Sequence, residues 1–112
     1  MEIIFDDTRF EKECNDERLR IKRQGKVRAQ LIGRRLDDLR AAATLDMMAG
    51  LPGNCHELSQ NLAGKFAVSL DGPFRLIFAP ANEPIPIKDS GGIDCSRVTA
   101  IRITGVVDYH GK

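Results

Sequence analysis

Two apolar runs in the middle of the chain constrain its fold most, because their spacing sets the register of a hairpin. The runs KFAVSL (65–70) and FRLIFAP (74–80) are strand-like and flank a turn sequence, Asp71-Gly72-Pro73. With a three-residue loop, all six apolar side chains share one face through the pairs Leu70–Phe74, Val68–Leu76 and Phe66–Phe78. A two-residue loop would mix Arg75 with those apolar residues. We therefore predict the first register, in which the opposite face carries Ala67, Ser69, Arg75 and Ile77.

The first half of the chain has helical periodicity instead. Segment 26–43 is the clearest helix, with an apolar stripe formed by Ile32, Leu36, Leu39 and Ala43. Residues 2–5 (EIIF) predict a short first strand. Thr8 with Glu11 fits a capping box, Asn15-Asp16 can begin a second short helix, and Gly25 can end it.

The segment VTAIRITGVVDY (98–109) predicts the last strand, after a long loop over 82–97. Strict alternation places two sets of residues on opposite sides: Ile101, Ile103, Val107 and Tyr109 toward the core, and Arg102, Thr104, Asp108 and His110 away from it. A bend or bulge at Gly105 would shift the facing beyond it and bring Tyr109 to the second side.

These elements predict an α+β fold: N-terminal helices packed on one face of a curved, mainly antiparallel sheet whose other face is open and polar. A length of 112 residues fits a single domain over 1–112. No apolar run approaches the roughly 20 residues that span a bilayer, and MEIIFDD is unlike a signal peptide. We expect a cytoplasmic protein with no membrane association.

A block of eight basic residues without an acid runs from Arg18 to Arg35, although the net charge is only +1. Such a block is a local positive field that can hold phosphates. It is equally typical of a solvated helix surface.

Three widely spaced cysteines, Cys14, Cys55 and Cys95, form no C-x-x-C pair and indicate free thiols. Cys55, His56 and Glu57 are consecutive and cannot all face one ion, so we expect no metal site and no cofactor. Glycine-rich phosphate loops, nucleophile elbows and zinc-protease motifs are absent from the sequence.

The remaining chemistry lies in two histidines and the residues near them. His56 precedes the central strands, and His110 follows Asp108 and Tyr109, the only tyrosine. Two histidines and Arg75 suit cleavage of an RNA phosphodiester, with general acid–base transfer and stabilisation of charge on the phosphoryl group. Tyr109 would orient the phosphate or stack on a base. A lone histidine is, however, more often structural or simply exposed.

The second half also resembles a known family. The segments LPGNCHEL (51–58), GKFAVSLDGPFRLIFAP (64–80) and GGIDCSRVTAIRITGVVDYHGK (91–112) resemble toxins of the RelE/ParE superfamily, in particular the HigB-type host-inhibition (killer) proteins. The likeness follows the element order over 1–112 and is specific in 51–112.

This resemblance implies a toxin of a type II toxin–antitoxin system, a ribosome-dependent mRNA endoribonuclease (mRNA interferase) that needs no metal and inhibits translation. The partners it implies are the ribosome with its mRNA and a helix-turn-helix antitoxin of the HigA type, which alone contacts operator DNA. The implied catalytic set is His56, Arg75, Asp108, Tyr109 and His110. The residues it implies for binding RNA and the ribosome are Arg18, Arg20, Lys22, Arg23, Lys26, Arg28 and Lys65.

Two alternatives remain open. ParE-like relatives inhibit DNA gyrase without such a catalytic cluster, and a degenerate member would bind its antitoxin without being toxic. The intact Asp-Tyr-His sequence at 108–110 favours the nuclease.

Overall fold

A computed structural model of the chain describes residues 1–109. Three helices lie between the first strand and the other four. The strands are β1 (Glu2–Phe5), β2 (His56–Glu57), β3 (Phe66–Ser69), β4 (Phe74–Pro80) and β5 (Ala100–Asp108). The helices are α1 (Thr8–Asn15), α2 (Glu17–Gln24) and α3 (Lys26–Ala41), and short 3-10 turns span Leu45–Gly50, Gln60–Leu62 and Cys95–Arg97.

The strands form one mixed sheet in the order β1-β5-β4-β3-β2. From β2 to β5 all neighbours are antiparallel, which confirms the predicted mainly antiparallel sheet. β1 joins the far side of β5 in parallel, with Ile3 beside Ile101 and Phe5 beside Ile103. Parallel strands need a long connection between them, and here the three helices and strands β2 to β4 lie between β1 and β5 in the chain.

The hairpin of β3 and β4 has the predicted three-residue register. Phe66 pairs with Phe78 and Val68 with Leu76, and the amide of Leu70 donates to the carbonyl of Phe74 over 3.0 Å. The Phe66 and Phe78 rings stack with centroids 5.8 Å apart. One face of the hairpin is therefore continuously apolar.

Helix α3 covers that apolar face and forms the core. Ile32, Leu36 and Leu39 are buried in one cluster with the apolar side chains of β3, β4 and β5. The predicted packing of helices on one face of the sheet is confirmed. We call the opposite side of the sheet the outer face.

The boundaries of the first two helices depend on aspartates. Asp7, rather than the predicted Thr8, caps α1 and accepts a hydrogen bond from the amide of Arg9 over 2.8 Å. A carboxylate is a strong cap that also interacts favourably with the positive end of the helix. Asp16 caps α2 as predicted, accepting from the amide of Leu19 over 3.2 Å.

The loop over 82–97 has internal structure. Ile87 and Ile93 form a bridge, and Arg97 donates to the carbonyl of Ile87 over 3.1 Å. The Asn82 side chain accepts from the amides of Thr99 and Ala100, which ties the loop to the start of β5. In residues 1–109 no helix combines the length and apolar character needed to cross a membrane.

Candidate functional site

A bulge in β5 decides which residues of the last strand reach the outer face. Phe78 pairs with Ile103, but its neighbour Ile77 pairs with Gly105, so Thr104 is an extra residue in β5. Gly105 has a φ of 147°, a backbone conformation that glycine adopts readily and that residues with a side chain rarely adopt. The alternation of side chains is therefore reset at this point.

Beyond the bulge the facing is reversed relative to strict alternation. Asp108 pairs with Phe74, which packs against the core, so Asp108 lies on the helix side. The placement of Asp108 on the outer side was therefore wrong, as was that of Val107 toward the core, because one inserted residue inverts every later position. Val107 pairs with Arg75 on the outer face instead. The predicted alternative, in which a bend or bulge at Gly105 brings Tyr109 to the outer face, is confirmed.

Arg75 and Tyr109 meet on the outer face. The Arg75 guanidinium carbon lies 5.8 Å from the centre of the Tyr109 ring. Arg75 Nη1 donates to the carbonyls of Gly72 and Phe74, each over 2.8 Å, and the Tyr109 amide donates to the carbonyl of Pro73 over 2.9 Å. The two arginine bonds use Nη1 alone, and the guanidinium has further donors for an anion.

His56 lies on the same face, in β2 at the edge of the sheet. It pairs with Ala67, and one strand separates it from β4, so about 10 Å lies between the two strand axes. Its Nδ1 is 2.8 Å from the carbonyl oxygen of Asn54. A carbonyl only accepts, so Nδ1 carries the proton and Nε2 of the neutral ring is left as a base.

The centre of the outer face is apolar rather than polar as predicted. Ala67, Ile77 and Ala79 are buried there. Arg75 and Tyr109 lie near one end of this apolar strip, and the exposed Arg102 lies near the other, 3.7 Å from Asp6. Lys65 lines a groove with Arg102 and Ala79 at that second end, away from Arg75. His110 lies outside the described residues.

The basic block divides into two groups, of which the first holds the helices together. Arg20 donates from Nε to the carbonyl of Ala29 over 2.9 Å and from Nη1 to that of Cys14 over 2.6 Å. Arg23 lies 3.6 Å from the buried carboxylate of Glu13. These arginines connect α1, α2 and α3.

Arg28 belongs to the same group but reaches the sheet. Its Nε and Nη2 donate to the two carboxylate oxygens of Asp71 over 2.9 and 3.1 Å. Its guanidinium carbon lies 3.3 Å from the centre of the Phe74 ring. Asp71 is 43 positions away in the chain, so no local motif indicated this pair.

The second group faces solvent. Arg18 and Lys22 on α2 and Lys26 at the start of α3 are exposed. Together with the exposed Arg34 on α3, this region is the part of the block that remains available to an external phosphate.

The three thiols are free, and burial suppresses their ionisation. Burial raises the pKa of Cys14 to about 12, with the neighbouring Glu13 charge adding to the effect. Burial raises the pKa of Cys55 to about 11 and also raises that of Cys95. These thiols are protonated at neutral pH and are poor nucleophiles. Within residues 1–109 no group of His, Cys, Asp and Glu side chains is arranged to hold a metal ion.

Comparisons with known proteins add the fold family. The sequence matches no protein-family model and no curated protein. Among solved structures, the chain is similar to the YoeB-YefM complex from Staphylococcus aureus, with 17% identity, a TM-score of 0.56, and 98% of this chain and 97% of that chain covered. It is also similar to the YoeB/ParE toxin from Agrobacterium tumefaciens, with 12% identity, a TM-score of 0.55, and 98% and 99% covered. The helices and five-stranded mixed sheet thus have the fold of these toxins.

Proposed function

We propose that this protein is the toxin of a type II toxin–antitoxin system and that it acts as a ribosome-dependent, metal-independent mRNA endoribonuclease. The observation that carries the proposal is the meeting of Arg75 and Tyr109 on the outer face that also bears His56. The fold supports it, because the similar structures are named as YoeB and YoeB/ParE toxins. The HigB-like Asp-Tyr-His sequence at 108–110 supports the finer assignment.

The chemistry is transfer of a phosphoryl group within the RNA. A base removes the proton of a 2′-OH, the oxygen attacks the adjacent phosphorus, and the bond to the 5′ oxygen breaks as an acid protonates that oxygen. His56 and His110 are the proposed acid–base pair, in either order. Arg75 stabilises the charge on the phosphoryl oxygens, and Tyr109 orients the phosphate or stacks on a base.

Asp108 has a different part in this proposal. Because it pairs with Phe74 on the helix side, it acts on the position of the last strand rather than on the RNA. The catalytic set proposed to touch RNA is therefore His56, Arg75, Tyr109 and His110.

The exposed basic residues are proposed to contact ribosomal RNA. Arg18, Lys22 and Lys26 present their charges to solvent on one part of the helical layer. Lys65, in the groove at the far end of the outer face, is a further proposed contact. The block also contains three arginines that bind groups inside the protein, Arg20, Arg23 and Arg28. They are proposed to add positive charge to this surface without contacting a phosphate directly.

The proposed protein partner is a helix-turn-helix antitoxin of the HigA type, through which operator DNA is contacted. One of the similar solved structures is named as a YoeB-YefM toxin-antitoxin complex, which supports an antitoxin partner of some type. Cytoplasmic location and a single functional domain over 1–112 belong to the same proposal.

Primer extension on mRNA from cells expressing the chain tests the nuclease. We expect new 5′ ends within translated regions only when the message is engaged by ribosomes, and growth arrest. His56→Ala and Arg75→Ala should remove both effects without unfolding the protein. Arg40→Ala, which changes an exposed arginine of α3, is the control and should cut normally. Intact message in growth-arrested cells would contradict the proposal.

Inhibition of DNA gyrase is the second candidate, because one similar structure is named as a YoeB/ParE toxin. A supercoiling assay with purified chain separates the two. Gyrase inhibition that survives Arg75→Ala, with no cut message, would replace the nuclease.

A further inference from the structure

The turn between β3 and β4, residues 70–74, binds two residues of the candidate site, Arg75 and Tyr109. The turn is closed by two backbone bonds of 3.0 Å, from the Leu70 amide to the Phe74 carbonyl and from the Phe74 amide to the Asp71 carbonyl. Its carbonyls then accept from Arg75 and Tyr109, two of the proposed functional residues of the outer face. Gly72 and Phe74 hold the Arg75 guanidinium, and Pro73 holds the amide of Tyr109.

Arg28 attaches this turn to the helical layer. It binds Asp71 through two parallel bonds, a geometry that restricts orientation as well as distance. It also covers the Phe74 ring at 3.3 Å, so both ends of the turn are held by one guanidinium. The Arg28 and Asp71 side chains are 21% and 32% exposed, which limits the screening of their charges by water.

These bonds leave Arg28 poorly suited to binding a phosphate. Its Nε and Nη2, one of the donor pairs that can bind a phosphate in parallel, both bind Asp71. One of its two flat faces is covered by Phe74. Arg28 therefore differs from Arg18 and Lys22, which expose their charges.

We propose that Arg28 is a positioning residue: by clamping the 70–74 turn through Asp71 and Phe74, it holds the Arg75 guanidinium and the Tyr109 ring in their working arrangement. Its effect on RNA cleavage rests on the proposed function. Its effect on the placement of Tyr109 does not.

Tyr109 supplies a direct readout, because it is the only tyrosine and the chain has no tryptophan. Its fluorescence, with acrylamide quenching, reports how well the ring is held. In Arg28→Ala we expect the quenching constant to rise about twofold, since removing the clamp opens the turn locally. Asp71→Asn keeps the arginine but removes the carboxylate, and it should also raise the quenching constant of Tyr109.

The control is Arg40→Ala, which removes another arginine of α3 that pairs with an aspartate, Asp37 at 3.7 Å. It should leave quenching unchanged. Circular dichroism at the measuring temperature establishes that every variant is folded. Arg28→Lys should give an intermediate value, because an ammonium cannot form the two parallel bonds.

The activity arm separates positioning from direct binding of RNA. Positioning predicts that Arg28→Ala and Asp71→Asn both lower the rate of mRNA cleavage. Direct RNA binding predicts a lower rate in Arg28→Ala only, with unchanged Tyr109 quenching in both variants, and that result would overturn the proposal. If the wild-type chain cuts no mRNA, the proposed function fails, whereas the quenching arm still decides whether Arg28 positions Tyr109.

Discussion

At the scale of single residues, the arginines of the basic block differ in what their guanidinium nitrogens bind. Arg20 and Arg28 use theirs inside the protein, whereas Arg18 presents its charge to solvent. All three arginines lie in the same basic block, so composition does not distinguish the two kinds. Only the tertiary partners separate an arginine that holds the fold together from one that can meet a phosphate.

The pair of Arg28 and Asp71 makes part of the stability depend on pH. The hydrogen bond from Arg28 lowers the pKa of Asp71, with the arginine's charge acting in the same direction. The stabilisation is therefore present above the pKa of about 3.9 of an unfolded aspartate and is lost as pH falls through the lower folded value.

We accordingly expect Asp71→Asn to lower the free energy of unfolding by about 1 kcal/mol at pH 7, as for a well-formed but partly exposed pair. The difference from wild type should shrink as pH falls below about 3.9, and it should disappear once pH is below the lowered pKa of the folded Asp71 carboxyl, where the wild-type group is also neutral. Urea unfolding at pH 7 and pH 3 measures it. A deficit of equal size at both pH values would show that the charge of Asp71 does not contribute.

The candidate site residues were only partly accessible to sequence reasoning. His56, Arg75 and Tyr109 were identified because histidine, arginine and tyrosine suit RNA cleavage and because of the family resemblance. The bonds of Arg28 to Asp71 were missed because an interaction across 43 positions leaves no local pattern.

At the scale of elements, hydrophobic spacing predicted the β3–β4 hairpin and most of α3. The helix ends at Ala41, however, and Ala43, predicted for its apolar stripe, lies beyond it and is exposed. In both elements, a one-residue error would expose a row of apolar side chains, so the pattern is strongly determined. The last strand was harder to predict. Its facing depends on whether Gly105 takes a bulge, and both outcomes are compatible with the same residues.

The bulge gives an element-scale prediction. Gly105→Ala should lower the free energy of unfolding by more than about 1 kcal/mol, because alanine is strained at a φ of 147°. We also expect greater acrylamide quenching of Tyr109, since the end of the strand must rearrange.

Gly50→Ala is the matched control, because an added Cβ meets no atom within 4 Å and the backbone there is not left-handed. Its effect on the free energy of unfolding should stay within about 0.5 kcal/mol. Equal decreases in stability for the two variants would show that the bulge places no special demand on glycine.

At the scale of the whole molecule, the net charge is small but the charged residues are unevenly distributed. A net charge of +1 conceals an exposed basic region on α2 and the start of α3. Association with a polyanion depends on such local fields and on salt more than on the total.

We expect Lys22→Glu to reduce co-sedimentation with ribosomes more than Lys12→Glu, an equal charge change at an exposed lysine of α1. Removing a charge that binds phosphate should also make ribosome binding less steeply dependent on salt. Sedimentation at two salt concentrations measures both effects. Equal reductions in the two variants would indicate that only net charge matters.

The position of β5 in the sheet has a consequence for synthesis of the protein. β5 lies between β1 and β4, yet it is the last of the described strands to leave the ribosome. At the usual elongation rates, β1 waits about 5–20 s for its partner. Until β5 has been made, neither the complete sheet nor the Arg75–Tyr109 pair exists, so a nascent chain that lacks β5 also lacks the assembled site.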